Sequence, residues 1–267
     1  MKFGSIQKLP SRVFRKFTNQ KPVQAIDPEW CLATLLCSRD RLAVDVGADA
    51  GNFAATVAPH ALACVAFEPR AHQALQLIQR FRQEGSEIEV QPVALSNKAG
   101  VVQMRVLVHD PGRSTIDGAN PLEDPDGSPM QTVRVPTLRL DDYHLHNIGL
   151  LKIDVEGHEL AVLQGGVTTI QQSKPAIYIE VEDRHNAGAN SAVRDFLLKM
   201  DYEGFFFLDG KLLELHNFNL SLHQNPANIG GWKDGWQKRG VYVNNFFYLP
   251  RGRSAQFMQL AVAAGLL

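Results

Sequence analysis

Short apolar runs alternate with helix-period stretches along most of the chain. Runs at 41–46, 62–67 and 88–96 are buried-strand signals, as are 150–155, 175–181 and 245–250. Between them lie amphipathic segments. A helix over 52–59 is stopped near Pro59. Another starts near Pro69, with Ala71, Ala74, Leu75, Ile78 and Phe81 as its stripe and Gly85 at its end. A third begins at His158, carries Leu160, Leu163, Val167 and Ile170 on one face, and meets a break at Gly165-Gly166. A fourth, capped by Ser191, uses Val193, Phe196, Leu197 and Met200. Val101 to Val108 and Thr132 to Val135 read as two antiparallel strands. Asp209-Gly210 marks a hairpin within 204–215. Strand–helix alternation of this kind predicts an α/β fold with a doubly wound, mostly parallel, Rossmann-like sheet.

The strand ends carry the chemistry. Val44-Asp45-Val46 runs into Gly47-Ala48-Asp49-Ala50-Gly51, a glycine turn before a helix. The next strand ends in Glu68-Pro69, seventeen residues after Gly51. Glycines permit a sharp turn and close ligand approach, and a carboxylate at that distance can accept from both hydroxyls of a ribose. A dinucleotide site wants a third glycine where Asp49 stands, because the backbone must reach a pyrophosphate there. An acid suits S-adenosylmethionine (SAM) better, whose methionine part carries an amino group and a sulfonium and no phosphate.

Composition narrows the setting. At 267 residues and 45% hydrophobic content, one α/β domain with extensions is the natural size. The expected division is a basic extension over 1–38, a main domain over 39–250 and an apolar tail over 251–267 that packs as a helix. Net charge is −1, yet residues 1–21 hold six Lys or Arg and no acid. Two readings stand for that arm: contact with a membrane surface or an acidic partner, and a solvated terminus. No run reaches the length of a membrane span or resembles a signal peptide. Cys31, Cys37 and Cys64 lack metal or redox spacing, which fits reduced thiols in the cytoplasm.

Several motifs occur in a fixed order. They are Val44-Asp45-Val46-Gly47-Ala48 with Gly51, Phe67-Glu68-Pro69, Ala94-Leu95-Ser96, Leu138 with Leu140-Asp141, the run Leu151-Lys152-Ile153-Asp154-Val155-Glu156-Gly157-His158-Glu159, and Ile179-Glu180. Over roughly 41–250 the chain resembles the FkbM-type family of SAM-dependent methyltransferases. The resemblance implies a seven-stranded class I methyltransferase fold and O-methylation, with sugars, polyketides and other small molecules as acceptors. Asp49-Ala50 departs from the family pattern of Asn followed by an aliphatic residue. The resemblance also implies that Gly47, Ala48 and Gly51, with Asp49 in the same turn, wrap the methionine part of SAM. It puts Glu68 on the ribose and Ala94 beside the adenine.

Methyl transfer to a hydroxyl needs alignment and a proton acceptor. Asp154 and Glu156 lie two apart, so in extended chain they point to one side, and His158 follows at the helix start. Asp154 or His158 is the expected base. Glu156 stands beside them. An alternative has Asp154, Glu156 and Glu180 converge on one Mg²⁺ that polarises the acceptor hydroxyl, but no metal site is assigned. Glu180, Trp232 and Trp236 are the expected acceptor contacts, the tryptophans in a loop rich in Asn and His that offers flat faces beside amide donors. The stretch 109–131, with four prolines and three glycines, has the character of a lid or binding loop. The expected partner is a small-molecule or glycan acceptor. A nucleic-acid acceptor is not expected, because net charge is slightly negative and no Asn/Asp-Pro-Pro-Tyr motif is present. Two further readings remain: an NAD-dependent oxidoreductase, and a SAM-binding scaffold without turnover.

Overall fold

The computed structural model describes residues 27–122, 127–263 and 265. The basic segment 1–21 lies outside the described residues. Helix α1 (Pro28–Leu35) is the first element of the described residues; Asp27 caps it by accepting from the Glu29 amide at 2.8 Å. Strands and helices then alternate as β1 (Leu42–Val46), α2 (Asn52–Val57), β2 (Cys64–Phe67), α3 (Ala71–Glu84) and β3 (Ile88–Gln91). The expected strand 88–96 divides here. The chain leaves β3 at Pro92, which has no N–H to continue the ladder, and β4 (Ala94–Leu95) joins a different sheet. That second sheet is completed by β5 (Gly100–Leu107) and β6 (Met130–Leu138), antiparallel to each other, in the order β4-β6-β5.

The main sheet resumes with β7 (Ile148–Ile153), α4 (Glu159–Gln164), α5 (Val167–Ser173), β8 (Ala176–Glu180) and α6 (Ala189–Lys199). It ends with β9 (Tyr202–Leu208), β10 (Lys211–Glu214), α7 (Leu220–His223), β11 (Asn245–Pro250) and α8 (Ser254–Ala263). Eight strands lie in the order β10-β9-β11-β8-β7-β1-β2-β3. Those from β8 to β3 pair in parallel, and β11 and β10 pair antiparallel to their neighbours. This is the expected seven-stranded sheet with one added edge strand. That strand, β10, hangs on the predicted hairpin turn, where Asp209 and Gly210 both take positive φ (50° and 75°).

Each face of the main sheet is buried under helices, so its central strands are apolar apart from Asp45 in β1, Lys152 in β7 and Glu180 at the end of β8. Ala43, Cys64, Leu150, Tyr178 and Phe247 pack on one side with Phe53 of α2, Leu77 of α3 and Leu32 of α1. Val44, Leu151, Ile153, Ile177 and Phe246 pack on the other with Val162 of α4, Ile170 of α5 and Leu197 of α6. Two helix details differ from the sequence reading. In α3 the buried residues are Ala74, Leu77 and Phe81, and Leu75 faces solvent at 53% exposure. Ser191 does not cap α6: Asp183 accepts from the amides of Gly188 and Asn190 instead, so the helix starts earlier and Ser191 falls inside it. The apolar tail does form a helix, α8, which sets Phe257 and Ala261 into the core. Among the described residues no helix is long and apolar enough to cross a membrane.

The parallel strands all end at one edge, and β1 and β7 meet there without space between them. Gly47 has φ +80°, and a Cβ built on it would lie 1.8 Å from the carbonyl oxygen of Asp154. Gly85, at the end of α3, also has positive φ (+64°) but nothing within 4 Å of that position. Gly47→Ala is therefore expected to cost about 3 kcal/mol or more, and Gly85→Ala only about 1 kcal/mol. Thermal unfolding of the two variants checks the contrast.

Candidate active site

The turn after β1 is fastened to the end of β2. The amides of Gly47 and Ala48 both donate to the Phe67 carbonyl at 3.0 Å. Gly51, at φ +74°, starts α2, and a Cβ there would meet Leu77 and Phe81 at 2.7 Å. β2 then delivers Glu68, which is 2% exposed. Its carboxylate is fully engaged within the protein. It accepts from the Asp49 amide at 3.0 Å, the Arg70 amide at 2.9 Å, and the Arg70 guanidinium at 2.8 and 3.1 Å. The same guanidinium reaches Asp49 Oδ1 at 2.6 Å and the Pro111 carbonyl at 2.7 Å.

The acidic edge is built at the ends of β7 and β8. The Asp154 amide continues the ladder to the Val46 carbonyl at 3.0 Å. Lys152 is buried beneath it, 3.4 Å from Asp154 Oδ2 and 3.1 Å from Asp45 Oδ1. Against the cost of burial, those two carboxylates hold the Lys152 ammonium above its usual range. Glu156 takes a left-handed backbone conformation, φ +55°, rare for a residue with a side chain. Two buried residues of the 109–122 loop hold it there: Thr115 Oγ1 and Asn120 Nδ2 each donate to the Glu156 carbonyl at 2.7 Å. The Glu156 carboxyl lies 3.1 Å from His185 Nε2. Burial, then the Asp154 and Glu182 charges, push Glu156 well up. The same causes push up Glu180, whose Oε1 accepts from Asn244 at 2.8 Å. Burial also lifts Glu159 to about 7; it accepts from the Gly157 amide at the start of α4.

One cavity of about 280 Å³ spans these ends. It runs from Glu68 and Arg70, with Ala94 of the second sheet beside them, past Gly47 and Asp49 to Asp154, Glu156 and Glu180. Asp110, Gly112 and Arg113 of the loop after β5 also line it, with Trp236 from the loop before β11. The two loops are joined: the Trp236 indole donates to Asp110 at 3.0 Å, and the guanidiniums of Arg113 and Arg184 lie over its ring at 4.5 and 5.4 Å.

The structure thus brings together Gly47, Asp49, Glu68, Ala94, Asp154, Glu156, Glu180 and Trp236. Ala48 is buried below the turn and Gly51 packs against α3, so both shape the loop from beneath. His158 does not line the cavity. Its Nε2 meets Ser96 Oγ at 2.9 Å and its Nδ1 meets Asp117 Oδ2 at 3.2 Å, and burial lowers its pKa. It is a half-buried pin between the loop and the start of α4. Trp232 is described only as part of the short turn Trp232–Asp234. No group of three His, Cys, Asp or Glu side chains is arranged to hold a metal ion among the described residues. Sequence reasoning missed Arg70, Lys152, Thr115, Asn120 and Arg113. Only Lys152 left a signal, a cation inside an otherwise apolar strand run.

A family model described as a methyltransferase FkbM domain matches residues 45–204. The chain belongs to the FkbM methyltransferase family. The matched span begins at Asp45 and includes the glycine turn, Glu68, Asp154, Glu156 and Glu180. An FkbM methyltransferase structure from Methylobacillus flagellatus aligns with a TM-score of 0.51 at 15% identity, over 79% of this chain and 44% of that one. This chain therefore spans less than half of that protein's length. A putative methyltransferase from Streptococcus mutans, solved with SAH, aligns at 10% identity and TM-score 0.46, over 85% and 98% of the two chains. An rRNA methylase from Streptococcus thermophilus aligns at 12% and 0.44, over 86% and 96%. No curated protein matches the chain. The match gives this chain the domain of that family, and its fold is that of the Methylobacillus structure.

The His185 ring, 3% exposed, carries a pH signature. Burial pushes its pKa down to about 4, so the unfolded chain takes up this proton first as pH falls below 6.5. Folded stability is expected to fall between pH 6.5 and about 4, by roughly 3 kcal/mol at most from this group. His185→Gln removes that component. Urea unfolding at several pH values should give a shallower acid slope for the variant than for the parent.

Proposed function

We propose that this FkbM methyltransferase moves a methyl group from SAM to a hydroxyl of a carbohydrate or another small hydroxylated acceptor. The observation that carries the reading is the continuity of one cavity from Glu68 to Asp154. The residues fit the donor. Gly47 and Asp49 offer a turn with an acid and no third glycine for a pyrophosphate, and Glu68 is a buried carboxylate at the end of β2. Glu68 would hold the ribose, Ala94 the adenine side, and the 47–51 turn the methionine part. When bound, SAM supplies an electrophilic methyl group on a sulfonium.

The acid edge does the remaining work. Asp154 lines the cavity and would take the proton that the acceptor hydroxyl loses as its oxygen bonds to the methyl carbon, the methyl–sulfur bond breaking with its electron pair left on the thioether sulfur. Its counter-charge, Lys152, stays fixed beneath it. Glu156 and Glu180, pushed up by burial and their neighbours, line the same wall beside Asp154 and offer further hydrogen-bonding groups to the acceptor. The joined loops carrying Asp110, Arg113 and Trp236 keep bulk water from the reacting atoms. His158, being outside the cavity, has no part in this step.

Calorimetry with SAM tests the donor. Glu68→Gln is expected to weaken binding about tenfold or more, and Asp154→Asn to leave it within about threefold. A methyl-labelled SAM assay over free sugars, glycosides and other hydroxylated small molecules then tests the acceptor. Asp154→Asn should lower turnover by roughly a hundredfold. A folded parent protein that binds NAD⁺ and not SAM would overturn the reading.

A further inference from the structure

Lys152 is the residue of β7 whose chemistry the sheet does not require. It lies opposite Asp45 in the β1–β7 register, on the face where Ala43, Leu150, Ala176 and Phe53 pack. Its side chain is 9% exposed, and that of Asp45 is fully buried. Taking two opposite charges out of water is costly, and an apolar pair of similar volume often gives equal or greater stability. Stability alone therefore does not account for this pair.

The ammonium makes one further contact that an apolar side chain could not. Nζ donates to the carbonyl of Gly47 at 2.8 Å while standing 3.1 Å from Asp45 Oδ1 and 3.4 Å from Asp154 Oδ2. Gly47 is the first residue past β1, at φ +80°, and its amide is bonded to Phe67 at the end of β2. Asp154 is the first residue past β7. The three contacts thus join the interior of β1, the first carbonyl of the glycine turn and the carboxylate that faces the cavity.

We propose that Lys152 is a positioning residue that ties the glycine turn to the Asp154 carboxylate, so that the methyl donor's seat and the proton acceptor keep one fixed spacing. The ligand part rests on the SAM reading above; the fastening of the turn does not depend on it. Because one Asp154 oxygen is turned down to the ammonium, the carboxylate cannot rotate freely about its last bond. A base held in one orientation beside a fixed donor seat is what alignment of an in-line displacement demands.

The test uses the full chain and SAH as probe. Asp45→Asn/Lys152→Met removes both charges and the Nζ donor together, so no buried charge is left alone. The double variant is expected to unfold cooperatively and to keep its β1 and β7 amides protected. Its amides at 47–51 should exchange about tenfold faster than in the parent. SAH should bind roughly tenfold more weakly. Asp45→Asn/Lys152→Gln keeps an N–H donor for the Gly47 carbonyl without the charge, and should return both readouts to within about threefold of the parent. Parent-like exchange and affinity in the Met variant overturn the proposal. So does equal loss in the Met and Gln variants, and so does failure of both to fold, which would make the pair a folding requirement. If the parent itself does not bind SAH while the exchange contrast is seen, the SAM reading falls and the fastening of the turn stands.

Discussion

Everything at the carboxyl edge depends on the contact between Gly47 and the carbonyl of Asp154. The space a Cβ would need is already filled by a backbone oxygen. β1 and β7 can be neighbours to their last residues only because a glycine turns away there with positive φ. That adjacency brings the glycine turn and the acids within one cavity. Widening it by even one methyl group would separate the two halves of the site or distort the ladder that carries the Asp154 amide.

Around that contact the charged groups are sorted by depth. Asp45 and Lys152 are sunk in the helix-covered face, where the ammonium has carboxylates on two sides. Asp154 stands above them at the cavity wall. Glu156, Glu180 and Glu182 form a further group, in which Arg184 and Tyr242 satisfy Glu182 and hold it down to about 2 against the cost of burial. Its neighbours Glu156 and Glu180 are pushed the other way. A row of carboxyls that share a site cannot all carry charge, and the arginine decides which of them does.

Much of this was legible in the chain, for identifiable reasons. Gly47, Glu68, Asp154 and Glu180 follow directly from apolar runs that end in turn or acid residues, because parallel strands present their ends at one edge. The hairpin at Asp209-Gly210 and the tail helix follow from local chemistry alone. What the chain did not show is long-range. His158, an expected base beside Asp154, does not line the cavity. Its direction was set by Ser96 and Asp117, 62 and 41 residues away, on segments whose pairing the local pattern does not encode. The split of β3 from β4 at Pro92 required knowing that a second sheet existed to receive Ala94-Leu95. Thr115 and Asn120 lie in a stretch without periodicity, so nothing local distinguished them from loop residues.

Glu68 has one more consequence. Its two oxygens already accept four hydrogen bonds, three of them from Arg70. A ribose that uses this carboxylate must take the place of a guanidinium fork, so its arrival is an exchange of partners and its net strength is a difference between two sets of bonds. The displaced arginine would also let go of the Pro111 carbonyl. On the SAM reading, occupancy at one end of the cavity would then share a side chain with one of the contacts that hold the roofing loop, the others being those through Trp236.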